Sequence, residues 1–556
     1  MTPFWLASWS LSMSVAWILP NHYAPWSTFH MDAWMAMVML LAPATLIFRT
    51  AGPVPWHFLT VAAAALTTVP MLQYGLGLII FSGSAWINTA YLLGFFLAIL
   101  TGGTWEKSSS GQFADGLFLA IGVASLISVG LQLHQWLSLD LLGIWSMGDG
   151  YGRPFANFGQ PNNLGTFLLW GLLGLAWGLL RKKIGIWTAL PTAAFLLFGL
   201  ALTQSRTAWI GMALLVGASW FWRSLWPNRR WVWFVTALGL YFAICVAAIG
   251  WFNQLLLLAL PGDVSDIARI ASEQRPAVWA MFLDAVLLHP WFGYGWGQVG
   301  FAQIAVALDH APLNVYFSQS HNLILDLVLW CGIPLGLSVS IALIAWLWRR
   351  LVSVTRSEDV VLLLFVLIVA NHAMLELPLH HAFFLLPTGL VMGALNVRMN
   401  ARNSFFLGRW CMTGTWLISV ALLGLLIRDY TKIESSYQAL RFEWAHIRTK
   451  ESAKPPNVVL LNQWREFVVM ERFEPTRGMS DQDLEWVRNI TKSYPSAGFF
   501  HKLAGSLAMN HRPEEAKLWL QKMCRIASET QCQSVEAAWK MQALVLPEFA
   551  AVQWPD

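Results

Sequence analysis

The sequence predicts an all-α, polytopic membrane protein, and three observations carry that prediction. Of 556 residues, 57% are hydrophobic and 12% charged, with a mean hydropathy of +0.53, too apolar for a water-soluble fold. The apolar residues gather in windows of about 17 to 25, the length a helix needs to cross a bilayer. The Lys and Arg residues lie mostly in alternate short loops between the windows, hence on one side, as membrane topology requires.

In chain order, the windows fall near 3–20, 32–48, 56–73, 85–101, 114–136, 162–180, 184–202, 207–222, 231–251, 321–347, 359–377, 380–397 and 408–427, which predicts about 13 transmembrane helices. The first has no Lys or Arg before it and no small-residue cleavage site after it, so it reads as a retained span. One set of alternate loops contains Arg49; Lys107; Arg181, Lys182 and Lys183; Arg223, Arg229 and Arg230; Arg349, Arg350 and Arg356; and Arg398, Arg402 and Arg409. The short loops on the other side contain only Arg153 and Arg206. This places the N-terminus in the cytoplasm and everything after Arg428 outside. The net charge of +5 is therefore topological, and nucleic-acid binding is excluded. The 34 Trp and 33 Phe suit interfacial belts and, equally, stacking on sugars.

Three outer segments are long enough to expect function: 137–161, 252–320 and the tail. The chain thus divides into a membrane domain, 1–428, and an outer helical domain, 429–556. Within the second segment, Glu273 to Leu288 has Val278, Phe282, Ala285 and Val286 at helical spacing, which predicts a helix along the membrane surface. In the tail, Ala497 to Ile526 reads as two amphipathic helices around a His511-Arg512-Pro513 turn, with a tetratricopeptide-like spacing. One such unit cannot bury its own face, so the domain either positions a partner or serves as a stabilising cap. Cys245, Cys331 and Cys411 fall in spans as buried apolar residues, whereas Cys524 and Cys532 are able to pair in an oxidising compartment.

Chemistry concentrates at the outer ends of the spans. The first outer loop ends in Gly152-Arg153-Pro154-Phe155-Ala156-Asn157-Phe158-Gly159-Gln160-Pro161-Asn162-Asn163, a rigid turn whose four amides suit either sugar hydroxyls or a helix cap. Arg206, in Thr203-Gln204-Ser205-Arg206-Thr207, is a guanidinium beside the hydrocarbon, with planar donors that match phosphate. Arg275 opens a second cluster with Trp279, Asp284, His289-Pro290 and Gly293 to Gly300. Gly295, Gly297 and Gly300 follow a helix, so they are read as permitting close backbone approach and not as a dinucleotide motif. His372 and Glu376, four apart, raise a metal site, but Pro378 breaks the helix before His380 and His381, and a polar end-cluster is preferred. His321, at the start of a span in Ser320-His321-Asn322-Leu323-Ile324-Leu325-Asp326, is the candidate base, because imidazole titrates near neutrality. Two arginines for phosphate and one base at the outer face point to group transfer from a phosphate-linked lipid donor.

Ser320-His321-Asn322 followed by Leu329-Trp330-Cys331-Gly332-Ile333-Pro334-Leu335-Gly336, with the His-Pro-x-x-Gly-x-Gly core inside 275–297, resembles the O-antigen ligase and polymerase superfamily. Leu19-Pro20-Asn21-His22-Tyr23-Ala24-Pro25-Trp26 and Ala156 to Asn163 are similar to its PglL-type branch, the bacterial O-oligosaccharyltransferases. The resemblance covers most of 15–395. It implies an inner-membrane enzyme that moves a glycan from undecaprenyl diphosphate to a Ser or Thr hydroxyl of a periplasmic protein such as a pilin, without a metal or other cofactor. On the matching positions, His321 would be the base, Arg206 and Arg275 would hold the diphosphate, and Gln160 would line the site. Asn157, Asn162, Asn163, His372 and Glu376 are further candidates for glycan or acceptor contact. Where the branch commonly has Glu-Tyr-Pro-Leu, this chain has Glu376-Leu377-Pro378-Leu379, so no tyrosine role is carried over. Asp32 stands alone in the first outer loop, against a metal-dependent N-glycosyltransferase. The alternatives are a ligase or polymerase with a lipid-linked acceptor, and a transporter, which would be expected to place its charges nearer the midplane.

Overall fold

The computed structural model describes residues 1–49, 54–148, 153–258, 275–401, 403–447 and 454–555. Parts of the outer segments, 149–152 and 259–274, lie outside the described residues, as does the start of the helix expected from Glu273. The fold is mostly helical. In order, the elements are α1 (Pro3–Ala16), α2 (Phe29–Arg49), β1 (Val54–His57), α3 (Phe58–Leu66), α4 (Val69–Gly75), α5 (Ser82–Ser108), α6 (Gln112–Trp136), α7 (Pro161–Leu180), α8 (Ile186–Leu202), α9 (Arg206–Phe221) and α10 (Arg230–Leu255). They continue as α11 (Arg275–Leu288), α12 (Val299–Val306), α13 (Leu323–Val352), α14 (Ser357–Ala373), α15 (Ala382–Arg398), β2 (Asn403–Leu407) and α16 (Arg409–Trp444). The tail forms α17 (Asn462–Arg472), α18 (Asp481–Ser493), α19 (Ala497–Met509), α20 (Pro513–Ile526), α21 (Glu529–Ala543) and α22 (Pro547–Ala550).

Among the described residues, 8 helical stretches are long and apolar enough to cross a membrane, and the chain is a multi-pass membrane protein. The windows at 3–20, 184–202, 207–222, 359–377 and 380–397 form shorter helices, of 14 to 17 residues. The window at 56–73 is divided between β1, α3 and α4. β1 pairs antiparallel with β2, Val54 opposite Leu407 and Trp56 opposite Phe405; β2 falls between the windows at 380–397 and 408–427, where the sequence predicts only a loop.

The chain divides into two compact units. The first contains residues 1–67, 90–270 and 342–423. In lipid, helix packing relies on close approach and hydrogen bonding, and both are visible here. A Cβ at Gly102 would lie 1.9 Å from the Leu390 carbonyl oxygen, and one at Gly393 would lie 2.0 Å from that of Ile99, so α5 and α15 meet backbone to backbone. Buried indoles donate to carbonyls of neighbouring helices: Trp9 to Val38 at 3.1 Å, Trp17 to Phe383 at 3.1 Å and Trp170 to Phe365 at 3.0 Å. At the end of α15, Arg398 is ringed by carboxylates, with Glu106 at 2.9 Å, Glu358 at 2.6 Å and Asp359 at 2.5 Å. Removing the guanidinium would leave buried charges unpaired, which costs roughly 3–5 kcal/mol.

The second unit contains residues 68–89, 271–341 and 424–556. The two helices expected around His511-Arg512-Pro513 are present as α19 and α20. With α18 and α22 they enclose Leu484, Val487, Phe499, Leu503, Leu520 and Phe549, and the same core takes in Phe81, Ile304 and Ala307 from earlier in the chain. Capping boxes start α18 (Ser480 with Asp483) and α21 (Ser528 with Gln531), each satisfying two end N–H groups. Cys524 and Cys532 are joined by a disulfide, the pairing the sequence left open.

α13 is broken at Gly332 (φ 75°, ψ 172°), two residues before Pro334. Proline cannot donate, so the Trp330 carbonyl loses its helical partner. The Gly293 loop supplies what the break leaves open. Tyr294 N–H donates to Leu329 O (2.7 Å) and Gly295 N–H to Trp330 O (3.1 Å), while Ile333 N–H donates to Pro290 O (2.7 Å). Gln73 also donates to Trp330 O, at 2.7 Å, and accepts from Trp296 N–H at 2.8 Å. Close backbone approach falls at Gly293, where an added Cβ would sit 2.4 Å from the Leu329 oxygen; at Gly295, Gly297 and Gly300, where it was expected, the nearest atoms belong to the side chains of Gln298, Asn88 and Tyr316.

Candidate functional site

His321 and Arg275 lie in the second unit; Arg206, Asn157, Gln160, Asn162, Asn163, His372 and Glu376 lie in the first. Each group is built by its own local chemistry.

His321 precedes α13 with φ 57°, left-handed backbone that costs a non-glycine residue roughly 1–2 kcal/mol. Its neighbours oppose that strain. Ser320 is fully buried; its N–H donates to Asp326 Oδ1 at 2.8 Å and its carbonyl accepts from Trp279 Nε1 at 2.9 Å. Asn322 caps α13, its Oδ1 accepting from Ile324 N–H (3.0 Å) and Leu325 N–H (3.2 Å). The His321 ring is half-buried and meets Phe317 edge-on, with centroids 6.1 Å apart. Arg275 is the first residue of α11, one turn before Trp279 and on the same face. The peptide that carries His321 is therefore bonded to the helix that carries Arg275. Strain held in place by its surroundings is a feature of functional sites.

In the first unit, the amide-rich loop and the end of α14 come together around Glu376. Its carboxylate is 3.4 Å from Gln160 Nε2 and 3.4 Å from Asn162 Nδ2. Asn162 Oδ1 in turn accepts from Ser205 Oγ at 2.6 Å, and Ser205 Oγ caps α9 by accepting from Ala208 N–H at 3.2 Å. This chain of bonds fixes the first residue of α9, Arg206, which is exposed. Arg153, which the sequence offered only as one of two cations in the short outer loops, donates to the Thr203 carbonyl from Nε (3.2 Å) and Nη2 (3.1 Å), holding the turn before Arg206. Burial lowers the Arg153 pKa; the Glu376 carboxylate opposes this and the Arg206 charge adds to it.

Asn157 and His372, expected to contact glycan or acceptor, are both buried. Asn157 is fully buried; it donates to the carbonyls of Ile18 (2.6 Å) and Trp145 (3.0 Å) and accepts from Met147 N–H (3.1 Å). Its amide organises backbone, and the His22 ring closes on its carbonyl at 2.7 Å, so the two stretches that carry the branch resemblance are in contact. His372 is also fully buried, with Nδ1 2.8 Å from Thr166 Oγ1. Asn163 is 4% exposed, inside the first turn of α7. Gln160 and Asn162 are half-buried. Among the described residues, no three His, Cys, Asp or Glu side chains gather as a metal site. Asp32 accepts from Thr28 Oγ1 (2.7 Å), Tyr91 Oη (2.8 Å) and Ala382 N–H (2.5 Å), so it caps α15.

Residues 191–340 match the family described as O-antigen ligase. Residues 360–542 match the family described as virulence factor membrane-bound polymerase, C-terminal. Over 526 residues the chain is 30% identical to the general O-oligosaccharyltransferase of Acinetobacter baylyi, covering 91% of this chain and 89% of that protein. The chain belongs to the O-oligosaccharyltransferases. It is a glycosyltransferase of O-linked protein glycosylation. This O-oligosaccharyltransferase is also 29% identical, over 343 residues and 60% of each chain, to the ComP-specific O-oligosaccharyltransferase of the same organism.

Sequence reading of this O-oligosaccharyltransferase missed Arg153 as a support for Arg206, and Trp279 and Asp326 as partners of Ser320. Asp326 left a readable signal, a carboxylate in the first turn of an apolar span, where an ionisable group is expensive unless it is bonded.

Proposed function

We propose that this O-oligosaccharyltransferase transfers an oligosaccharide en bloc from undecaprenyl diphosphate to a Ser or Thr hydroxyl of a periplasmic protein, a pilin or pilin-like chain. His321 takes the hydroxyl proton as the oxygen attacks the anomeric carbon. The bond from that carbon to the diphosphate breaks, and its electron pair leaves with undecaprenyl diphosphate. Arg206 and Arg275 neutralise the charge that grows on the diphosphate. Gln160 and Asn162, with Glu376, supply hydrogen bonds to glycan or acceptor. The observation that carries this reading is the fixed backbone at His321. A residue held in left-handed strain, through a peptide bonded to the Arg275 helix, suits a base that must meet its hydroxyl in one orientation.

The reading includes an inner-membrane location, a cytoplasmic N-terminus, and a membrane domain over 1–428 followed by a periplasmic helical domain over 429–556 with a tetratricopeptide-like pair. The exposed Leu283, Leu287, Trp291 and Phe292 support a membrane-surface position for α11.

A glycan blot of cells that express the chain with a lipid-linked glycan and periplasmic pilins, with and without proteinase K, tests the proposal. Loss of the glycan signal with protease is expected. The match to the O-antigen ligase family favours one second reading, a lipid-linked acceptor, and signal that survives protease would establish it instead.

A further inference from the structure

We propose that Trp279 and Asp326 are positioning residues for His321, acting on it through the Ser320 peptide; this rests on the reading of His321 as the base. Both polar groups of that peptide's residue are held by side chains from different elements. The Ser320 N–H goes to Asp326 Oδ1, at 2.8 Å, from α13 below it. The Ser320 carbonyl takes the indole N–H of Trp279, at 2.9 Å, from α11 beside it. The next residue is His321, with φ 57°. The penalty for left-handed backbone and the worth of one hydrogen bond are of similar size. Loss of either bond therefore lets His321 relax toward ordinary backbone and swing its ring out of line.

Each side chain suits this task better than a packing role. Trp279 is only half-buried, and its indole is a donor with no acceptor, so its bond to a carbonyl has one sense. It also stands four residues after Arg275, so one contact fixes the distance between the base and the helix that carries the arginine. Asp326 is fully buried, and its Oδ2 has no hydrogen-bond partner among the described residues. A buried carboxylate that uses one oxygen is a poor device for stability, since an apolar residue of the same size would be cheaper to bury. What it supplies is an acceptor for Ser320 N–H.

The test uses the full-length enzyme in lipid nanodiscs with undecaprenyl-diphosphate-linked oligosaccharide and a purified pilin. Trp279→Phe keeps the ring and removes only the donor. It should lower kcat by about tenfold or more, as expected when a general base is misaligned, with both KM values and Tm unchanged. Asp326→Asn, which keeps an oxygen in place for Ser320 N–H, should stay within about threefold of wild type, and Asp326→Leu should fall as Trp279→Phe does. Wild-type kcat in Trp279→Phe, with His321→Ala inactive, overturns the positioning role alone. A fall in Tm that accompanies the fall in kcat makes the role structural and overturns it too. An Asp326→Asn loss equal to that of Asp326→Leu removes Asp326 from the proposal, because charge and not the hydrogen bond would then be its contribution. Transfer by His321→Ala refutes the base assignment itself, a distinct failure.

Discussion

Replacing Gly332 by alanine tests whether the broken helix and the Gly293 loop form one joint. A Cβ at Gly332 would lie 2.4 Å from both the carbonyl carbon and the oxygen of Trp291, and 2.7 Å from Phe292 N. These are backbone atoms, with no side-chain torsion to relieve the clash. The backbone angles belong to a region that is essentially glycine's alone, worth roughly 1–3 kcal/mol of strain, and an overpacked methyl adds roughly 1–3 kcal/mol. The alternative is for the loop to undock, which forfeits the bonds at Leu329, Trp330 and Ile333, roughly 1 kcal/mol each. The cheaper route sets the outcome, so undocking at about 3 kcal/mol is expected. Gly332→Ala should insert in the membrane, lose hydrogen-exchange protection at 290–295 and 329–333, and lose at least about tenfold in transfer activity. Gly122→Ala in α6, where an added methyl meets nothing within 4 Å, should be neutral or slightly stabilising. Wild-type exchange and activity in Gly332→Ala would refute the reasoning.

Three further outcomes are expected. Arg206→Ala and Arg275→Ala should each lower transfer by about 100-fold, while Arg349→Lys, exposed at the other end of α13, stays near wild type; equal losses in all three would undo the diphosphate assignment. Removing the Cys524–Cys532 disulfide, which closes a sequence separation of 8, should destabilise the tail helices by about 2.5 kcal/mol, read as a shift in their unfolding with reductant; an alkylation mass pattern that reductant does not change would refute the bond. Burial lowers the His501 pKa, while its bond to Gln542, 2.9 Å long, and the nearby Glu474 oppose this and Lys502 adds to it. The folded state therefore holds His501 neutral. Its contribution is full above about pH 6.5 and is lost as pH falls through the lower folded value. Tm should drop over that range, and by less in His501→Gln; equal pH slopes would remove the assignment.

The long helices were legible because a bilayer imposes one length on every span that crosses it upright. Hydropathy sums over a window, however, and is blind to what happens inside it. The β1 strand, the division of 56–73 and the break at Gly332 all disappear in such a sum, although Gly332 and Pro334 stood in the sequence as a marker of the last. At the candidate site, charge singled out Arg206 and Arg275, which the fold seats as the first residues of α9 and α11, whereas residue type alone does not separate one amide from another. Asn157 and Asn162 look equivalent in sequence. Only the fold shows that Asn157 is consumed by the backbone of Ile18, Trp145 and Met147, while Asn162 links Glu376 to Ser205. Trp279 stood in the Arg275 cluster of the sequence, but its bond to the Ser320 carbonyl, across a separation of 41 residues, leaves no local signal.

The ring of carboxylates around Arg398 separates two moments in the life of the same residue. While the chain is being inserted, α5, α14 and α15 have not yet met, and Arg398 is a solvated positive charge that helps to hold its loop on the cytoplasmic side in the proposed orientation. Once the helices assemble, Glu106, Glu358 and Asp359 close on it, and the charge that directed topology becomes a rivet between three helices. Substituting the acids by amides should therefore leave the orientation intact and loosen the assembled bundle, whereas Arg398→Gln removes both services at once. Loop charges read from sequence describe the nascent chain, and the electrostatics of the finished protein are written later by its acids.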